Sequence, residues 1–159
     1  YTEFIELAGE LNQAMTYHVV DLAGQALSVQ GKPLKGANVL VLGVAFKRDI
    51  DDARNSPAER IIEFLLGRGA EVAYHDPHVP SFRVGGDVFY REEVTLESVE
   101  LTEEVLAGAD CIIIVTEHTS VDYERVAQYA QLVVDTRNAI ADASGYGQKI
   151  VRLGAPLPQ

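Results

Sequence analysis

The sequence predicts an α/β fold, a doubly wound and mainly parallel sheet preceded by a long connecting helix. Three observations point to it. Short apolar runs at Val39–Leu42, Cys111–Val115 and Leu132–Asp135 alternate with stretches of helical periodicity. Cys111–Val115 is apolar throughout, which marks a strand covered on both faces. Val39–Leu42 leads straight into a loop dense in charge, Lys47-Arg48-Asp49-Ile50-Asp51-Asp52-Ala53-Arg54. Parallel α/β sheets bind ligands at the carboxyl ends of their strands, so charge concentrated there is a site signal.

The leading segment, residues 4–29, places Phe4, Ile5, Ala8, Leu11, Met15, Val19, Leu22, Ala26 and Leu27 at three- and four-residue steps. A helix this long is expected to connect two domains or to pair with a second subunit, with packing on its own core as the alternative. Residues 1–30 are therefore assigned to a dimerisation helix and residues 31–159 to the α/β domain. Gly31-Lys32-Pro33 ends the helix and Lys35-Gly36 turns the chain into strand Val39–Leu42. After the charged loop, Ser56 as N-cap and Pro57 at the first helical position open a helix to about Arg68. Ala58, Ile61, Ile62, Leu65 and Leu66 form its apolar face, with Glu59, Arg60, Glu63 and Arg68 mostly opposite.

Glu71–His75 reads as a second strand, stopped by Asp76-Pro77. Residues 78–101 read as a loop with one short strand. A short helix begins at Thr102 and ends near Gly108. Cys111–Val115 has the composition of a centre-sheet strand, Asp122–Ala130 is helical, and Leu132–Asp135 is a further buried strand. The tail from Ser144 is expected to be partly mobile. Right-handed crossovers then bring Gly43–Arg54, Thr116-Glu117-His118 and Thr136-Arg137-Asn138 to one sheet edge.

The chain has 159 residues, 47% of them hydrophobic, which suits one domain with a proper core. It begins at Tyr1 and opens in a helix, so it is expected to be a piece of a longer protein. A net charge of −11 argues against a nucleic-acid or anionic-membrane surface. A single cysteine excludes an internal disulfide and fits a reducing compartment. With no membrane span and no signal-peptide pattern, a cytoplasmic location is expected.

Lys47 and Arg137 each follow a buried strand and would point into the crevice at the sheet edge. Two cations there suit a diphosphate, Lys as a point charge and Arg as a bidentate fork. The alternative is that they pair with Asp49, Asp51, Asp52 or Asp135 and only brace loops. Gly43-Val44-Ala45-Phe46-Lys47-Arg48 does not match G-x-G-x-x-G, because Ala45 and Arg48 stand where glycines are required. Asp76 takes the place of a ribose-binding acid, but without the glycines it reads as a turn residue before Pro77. A solvated loop with Arg54 pairing explains Asp49, Asp51 and Asp52 better than a metal does. His75 and His78 lack a nearby cysteine or third histidine for zinc. His118 reads as an exposed edge residue, and Cys111 as a buried apolar thiol and not a nucleophile. No catalytic set emerges.

Taken in order, Gly43-Val44-Ala45-Phe46-Lys47, Asp52-Ala53-Arg54-Asn55-Ser56-Pro57-Ala58, Gly69-Ala70-Glu71-Val72 and Tyr74-His75-Asp76-Pro77 resemble the C-terminal domain of UDP-sugar 6-dehydrogenases. These belong to the UDP-glucose/GDP-mannose dehydrogenases. Phe4–Val20 is similar to the end of that family's long central helix, and Val133–Asn138 to its late arginine strand. The likeness covers nearly the whole chain and is weakest over residues 78–101. It implies a Rossmann-like domain that holds the UDP end of a UDP-sugar, in an enzyme oxidising the sugar C6 alcohol to a carboxylate through cysteine-bound intermediates. NAD would be bound by a separate N-terminal domain and not by these residues. Carried over by position, Phe46 would line the pocket, Lys47 would contact substrate near the phosphates and Arg137 would bind the diphosphate end. Arg54 would brace the loop. The wording Asp135-Thr136-Arg137-Asn138 is closer to members acting on UDP-N-acetylhexosamines. Neither the glycine-rich NAD motif nor the family's cysteine motif is present, so these residues alone are expected to bind and not to catalyse. A dimerisation module and an autonomous NAD-binding domain stand as the alternatives.

Overall fold

In the computed structural model, which describes residues 2–157, five parallel strands form the central sheet. They are β1 (Asn38–Leu42), β2 (Glu71–His75), β5 (Cys111–Ile114), β6 (Val133–Asp135) and β7 (Ile150–Arg152), in the order β2-β1-β5-β6-β7. The strand order reverses between β1 and β5, and a ligand crevice is expected outside that point. Successive residues of β1 face opposite sides of the sheet. Val39 and Val41 pack with helix α1 (Thr2–Val29) and helix α2 (Pro57–Gly67). Leu40 and Leu42 pack with α3 (Glu103–Gly108) and α4 (Tyr123–Tyr129). Both faces are covered, which is why these strands read as unbroken apolar runs.

The predicted start of α2 is present. Ser56 is extended, its Oγ accepts the Ala58 N–H at 3.2 Å, and Pro57 occupies the first turn, where its missing N–H costs nothing. One residue of the expected polar face turns inward. Glu63 is 1% exposed, pairs with Arg60, and accepts the Gly85 N–H at 2.9 Å. That bond ties α2 to residues 81–97, which form a two-stranded antiparallel hairpin of β3 (Ser81–Val84) and β4 (Val94–Glu97) instead of a loop with one strand. Phe82 and Val84 face inward while Ser81 and Arg83 face out, a period-two signal only four residues long. The tail also differs from expectation. Ser144–Lys149 forms a 3₁₀ segment, and β7 then pairs with β6 and buries Val151.

The two halves of α1 have different surroundings. Val19, Val20, Leu22, Ala23, Ala26 and Leu27 lie buried against the sheet. Residues 2–15 are exposed, with Phe4 at 76% and Leu11 at 58%. The predicted apolar stripe is therefore half used by this domain.

At the reversal point, Gly43 adopts φ +82°, and a Cβ there would sit 2.0 Å from the Thr116 carbonyl oxygen. Glycine is required on both counts. Gly43→Ala is expected to destabilise the fold by about 2 kcal/mol or more, measured as a lower urea midpoint at unchanged slope. A midpoint equal to wild type would contradict this close approach.

Candidate functional site

The charged loop after β1 is held by a carboxylate from the next strand end. Asp76, just past β2, is 3% exposed. Its Oδ2 accepts the Val44 N–H at 2.8 Å and the Ala45 N–H at 2.9 Å, and its Oδ1 accepts the His78 and Val79 N–H groups. Burial alone would raise this carboxyl, but the bonds from His78, Ala45, Val44 and His118 outweigh it and lower its pKa. Asp76 is thus more than a turn residue. In a glycine-rich turn the loop N–H groups face a pyrophosphate, whereas here two of them are occupied by the protein's own carboxylate. Those two N–H groups are therefore not free to receive a pyrophosphate.

His118 is the clearest correction to the sequence reading. It is buried, 2% exposed, not an exposed edge residue. Its Nδ1 accepts the Asp49 N–H at 3.0 Å, which leaves Nε2 to carry the ring proton towards Asp76 Oδ2, 3.0 Å away. The Asp49 carboxylate in turn accepts from the Thr119 N–H at 2.8 Å and from the Thr119 hydroxyl. Asp49, His78 and His118 come within 4.8 Å of one another, a grouping that sequence spacing does not reveal. Both ring nitrogens of His118 already have partners, so the group acts as a hydrogen-bonded latch on the loop. Arg54 pairs with Asp52 at 2.7 Å, as expected.

Asp135 performs the same task at the end of β6. It is buried and accepts the N–H groups of Arg137, Ala139 and Ile140 at 3.0–3.1 Å. Among the described residues the positive-φ residues other than glycine are Asp49, Asn55 and Asn138, all in loops at this edge. Asp and Asn tolerate that conformation best, and such positions cluster at functional sites.

The two loops bound a cleft of about 610 Å3. Phe46 and Asn55 line it from the first loop, Thr136 and Arg137 from the second, and Asn12, Gln13 and Thr16 from α1. Its size suits a small-molecule ligand. Phe46 and Arg137 therefore meet at one cleft, whereas the sequence reading paired Lys47 with Arg137 there. Lys47 is exposed beside Phe46, its Nζ 5.6 Å from the ring centroid, and is not part of the cleft wall. Neither side chain pairs with the loop aspartates. The Arg137 Nε instead donates to Glu117 Oε2 at 2.7 Å, and Arg48 donates to Glu117 Oε1 at 2.5 Å. Burial would raise the Glu117 carboxyl, but hydrogen bonds from Arg137, its own backbone and Arg48 hold it at about 2. Sequence reasoning placed Glu117 on this edge without giving it a role. Its signal was its position, three residues after the end of a central strand and opposite an arginine. Cys111 is fully buried, and burial followed by the nearby Asp110 pushes its thiol up to about 12.

The profile described as the UDP binding domain of the UDP-glucose/GDP-mannose dehydrogenase family matches residues 40–142. The chain belongs to that family. It is 28% identical to a UDP-N-acetyl-D-mannosamine dehydrogenase of Methanococcus vannielii, over 87% of this chain and 31% of that protein. It is 27% identical to a UDP-glucose 6-dehydrogenase of Rhizobium meliloti, over 83% and 30% of the two chains. The structure of the UDP-D-ManNAc dehydrogenase from Pyrococcus horikoshii superposes with a TM-score of 0.72 at 28% identity, covering 94% of this chain and 33% of that one. The chain thus spans about a third of the length of these family members. Among the described residues no helix is long and apolar enough to cross a membrane.

Two outcomes follow for the site. Asp76→Ala removes the acceptor of four backbone N–H groups and is expected to cost on the order of 3 kcal/mol. Hydrogen exchange should show the Val44 and Ala45 amides losing protection first, and retained protection there would remove Asp76 from its holding role. The pH dependence has a definite sign. The folded pKa of Glu117 lies below its ordinary 4.5, so its contribution is present above that value and lost as pH falls towards about 2. Urea melts across that range should show a shallower acid loss for Glu117→Gln than for wild type. Equal slopes would mean that the two arginines do not stabilise the carboxylate.

Proposed function

We propose that this chain is the UDP-holding part of an NAD-dependent UDP-sugar 6-dehydrogenase, which oxidises the sugar C6 alcohol to a carboxylate through a cysteine-bound intermediate. The observation that carries the reading is the convergence of Phe46 and Arg137, from the ends of two different strands, on one cleft in a domain of this family. Phe46 offers its ring as a wall, Lys47 supplies a point charge near the phosphates and Arg137 binds the diphosphate end. NAD and the cysteine belong to the other two-thirds of such an enzyme, so the residues described here bind substrate and catalyse nothing alone. Cys111 is sealed in the sheet and holds its proton at neutral pH, which keeps it out of the chemistry. The relatives include enzymes of both UDP-N-acetyl-D-mannosamine and UDP-glucose, and Asp135-Thr136-Arg137-Asn138 favours an N-acetylhexosamine substrate.

A second reading concerns α1. Phe4, Ile5, Leu7, Leu11 and Met15 leave an apolar stripe uncovered, which suits a homodimer built through the exposed part, residues 4–15, of the 4–29 helix. Sedimentation should then show a dimer that Leu7→Glu with Leu11→Glu converts to monomer. A concentration-independent wild-type monomer would refute it.

The binding role is tested by calorimetry at low salt. UDP should bind and NAD⁺ should not, and Lys47→Ala or Arg137→Ala should weaken UDP about tenfold or more. Unchanged affinity in both variants would sink the site assignment, and tight NAD⁺ binding would restore an autonomous dinucleotide domain.

A further inference from the structure

Arg48 contributes nothing visible to the loop that carries it. That loop is closed by the Phe46 N–H bonding to the Asp52 carbonyl at 2.8 Å and is latched through Asp49 to His118 and Thr119. Among the described residues the Arg48 guanidinium hydrogen-bonds only to Glu117 Oε1, at 2.5 Å. Glu117 follows β5 with its side chain 15% exposed, and its other oxygen accepts from Arg137. Two arginines on different loops are therefore held in fixed relation by one carboxylate.

The charge balance of this arrangement is uneven. Each guanidinium spends part of its fork on Glu117 and keeps the rest of its N–H groups for another acceptor. Two of the loop's own acids are engaged elsewhere, Asp49 with Thr119 and Asp52 with Arg54. The Arg48–Glu117–Arg137 group itself holds two positive charges against one negative in a chain of net charge −11. As a stabilising contact the pair is poor value, because half-exposed ion pairs contribute little and ordering two long side chains costs entropy. Arg137 also stands between the large cleft and a recess of about 270 Å3 lined by Arg48, Glu117, Thr119, Tyr123 and Asn138.

We infer that Arg48 is a further phosphate-binding residue and that Glu117 positions it together with Arg137, so that the two guanidiniums meet one diphosphate as a single preset clamp. The inference rests on the reading of this edge as the UDP site. Glu117 remains ionised at neutral pH, so the clamp is permanently set. Presetting matters because an anion that had to order two free arginines would lose affinity to their entropy.

The test is calorimetry of the whole chain with UDP and, separately, with uridine. Arg48→Ala should weaken UDP about tenfold while leaving uridine affinity unchanged. Glu117→Gln should also weaken UDP, even though it removes a negative charge from the site. Tighter UDP binding by Glu117→Gln would make Glu117 a competitor of the diphosphate and overturn its positioning role. Lys47→Ala and Arg137→Ala weakening UDP while Arg48→Ala does not would sink the inference and leave the UDP site standing. Equal losses for UDP and uridine in Arg48→Ala would reveal a structural effect and overturn it too. No UDP uptake by the wild-type chain would remove the reading and the inference together.

Discussion

The Asp76 carboxylate is the contact on which the arrangement of the site depends. A loop leaving a buried strand carries backbone N–H groups that need acceptors. In a glycine-rich dinucleotide turn a bound phosphate can serve. Here Asp76 serves, reaching back to Val44 and Ala45 and onwards to His78, Val79 and His118. Filling those positions internally has two effects. It closes the place where a pyrophosphate would rest on the backbone, and it fixes the path of the chain into Phe46, Lys47 and Arg48. Any anion at this edge must then be met by side chains.

Carboxylates recur as the holding device. Asp135 collects three N–H groups ahead of Arg137, and Glu117 joins Arg137 to Arg48 across the crevice between the loops. In an acidic chain this division is economical in charge. Asp76, Asp135 and Glu117 are turned towards N–H groups and guanidiniums, and the arginines keep donors beyond those Glu117 takes. The long-range field of a net −11 protein repels anions, so a nucleotide must be captured at close range. Glu63 applies the same chemistry away from the site, fastening the hairpin to α2 through the Gly85 N–H.

Features decided locally were legible in the sequence. Strands β1, β5 and β6 are apolar enough to be read alone, and the Ser56-Pro57 start of α2 is a short-range cap. That the loops carrying Lys47 and Arg137 share one edge followed from topology, because parallel strands do, but Lys47 itself lies off the cleft wall. The hairpin and β7 were hidden because their periodic signals last only three or four residues. The roles of Asp76, Glu117 and His118 were hidden for another reason. Whether a polar side chain is buried depends on partners distant in sequence, and Asp76 meets Val44 across 32 positions and His118 across 42. A histidine among polar neighbours reads as exposed until the two carboxylates around it are placed.

The most direct measurement is an amide NMR titration of the chain with UDP. Shifts concentrated at Gly43–Arg48, Thr116–Thr119 and Thr136–Asn138 would place the diphosphate on the side chains that Asp76 and Asp135 hold in position. Shifts centred on residues 78–101, or none at saturating UDP, would contradict a nucleotide site at this edge of the sheet.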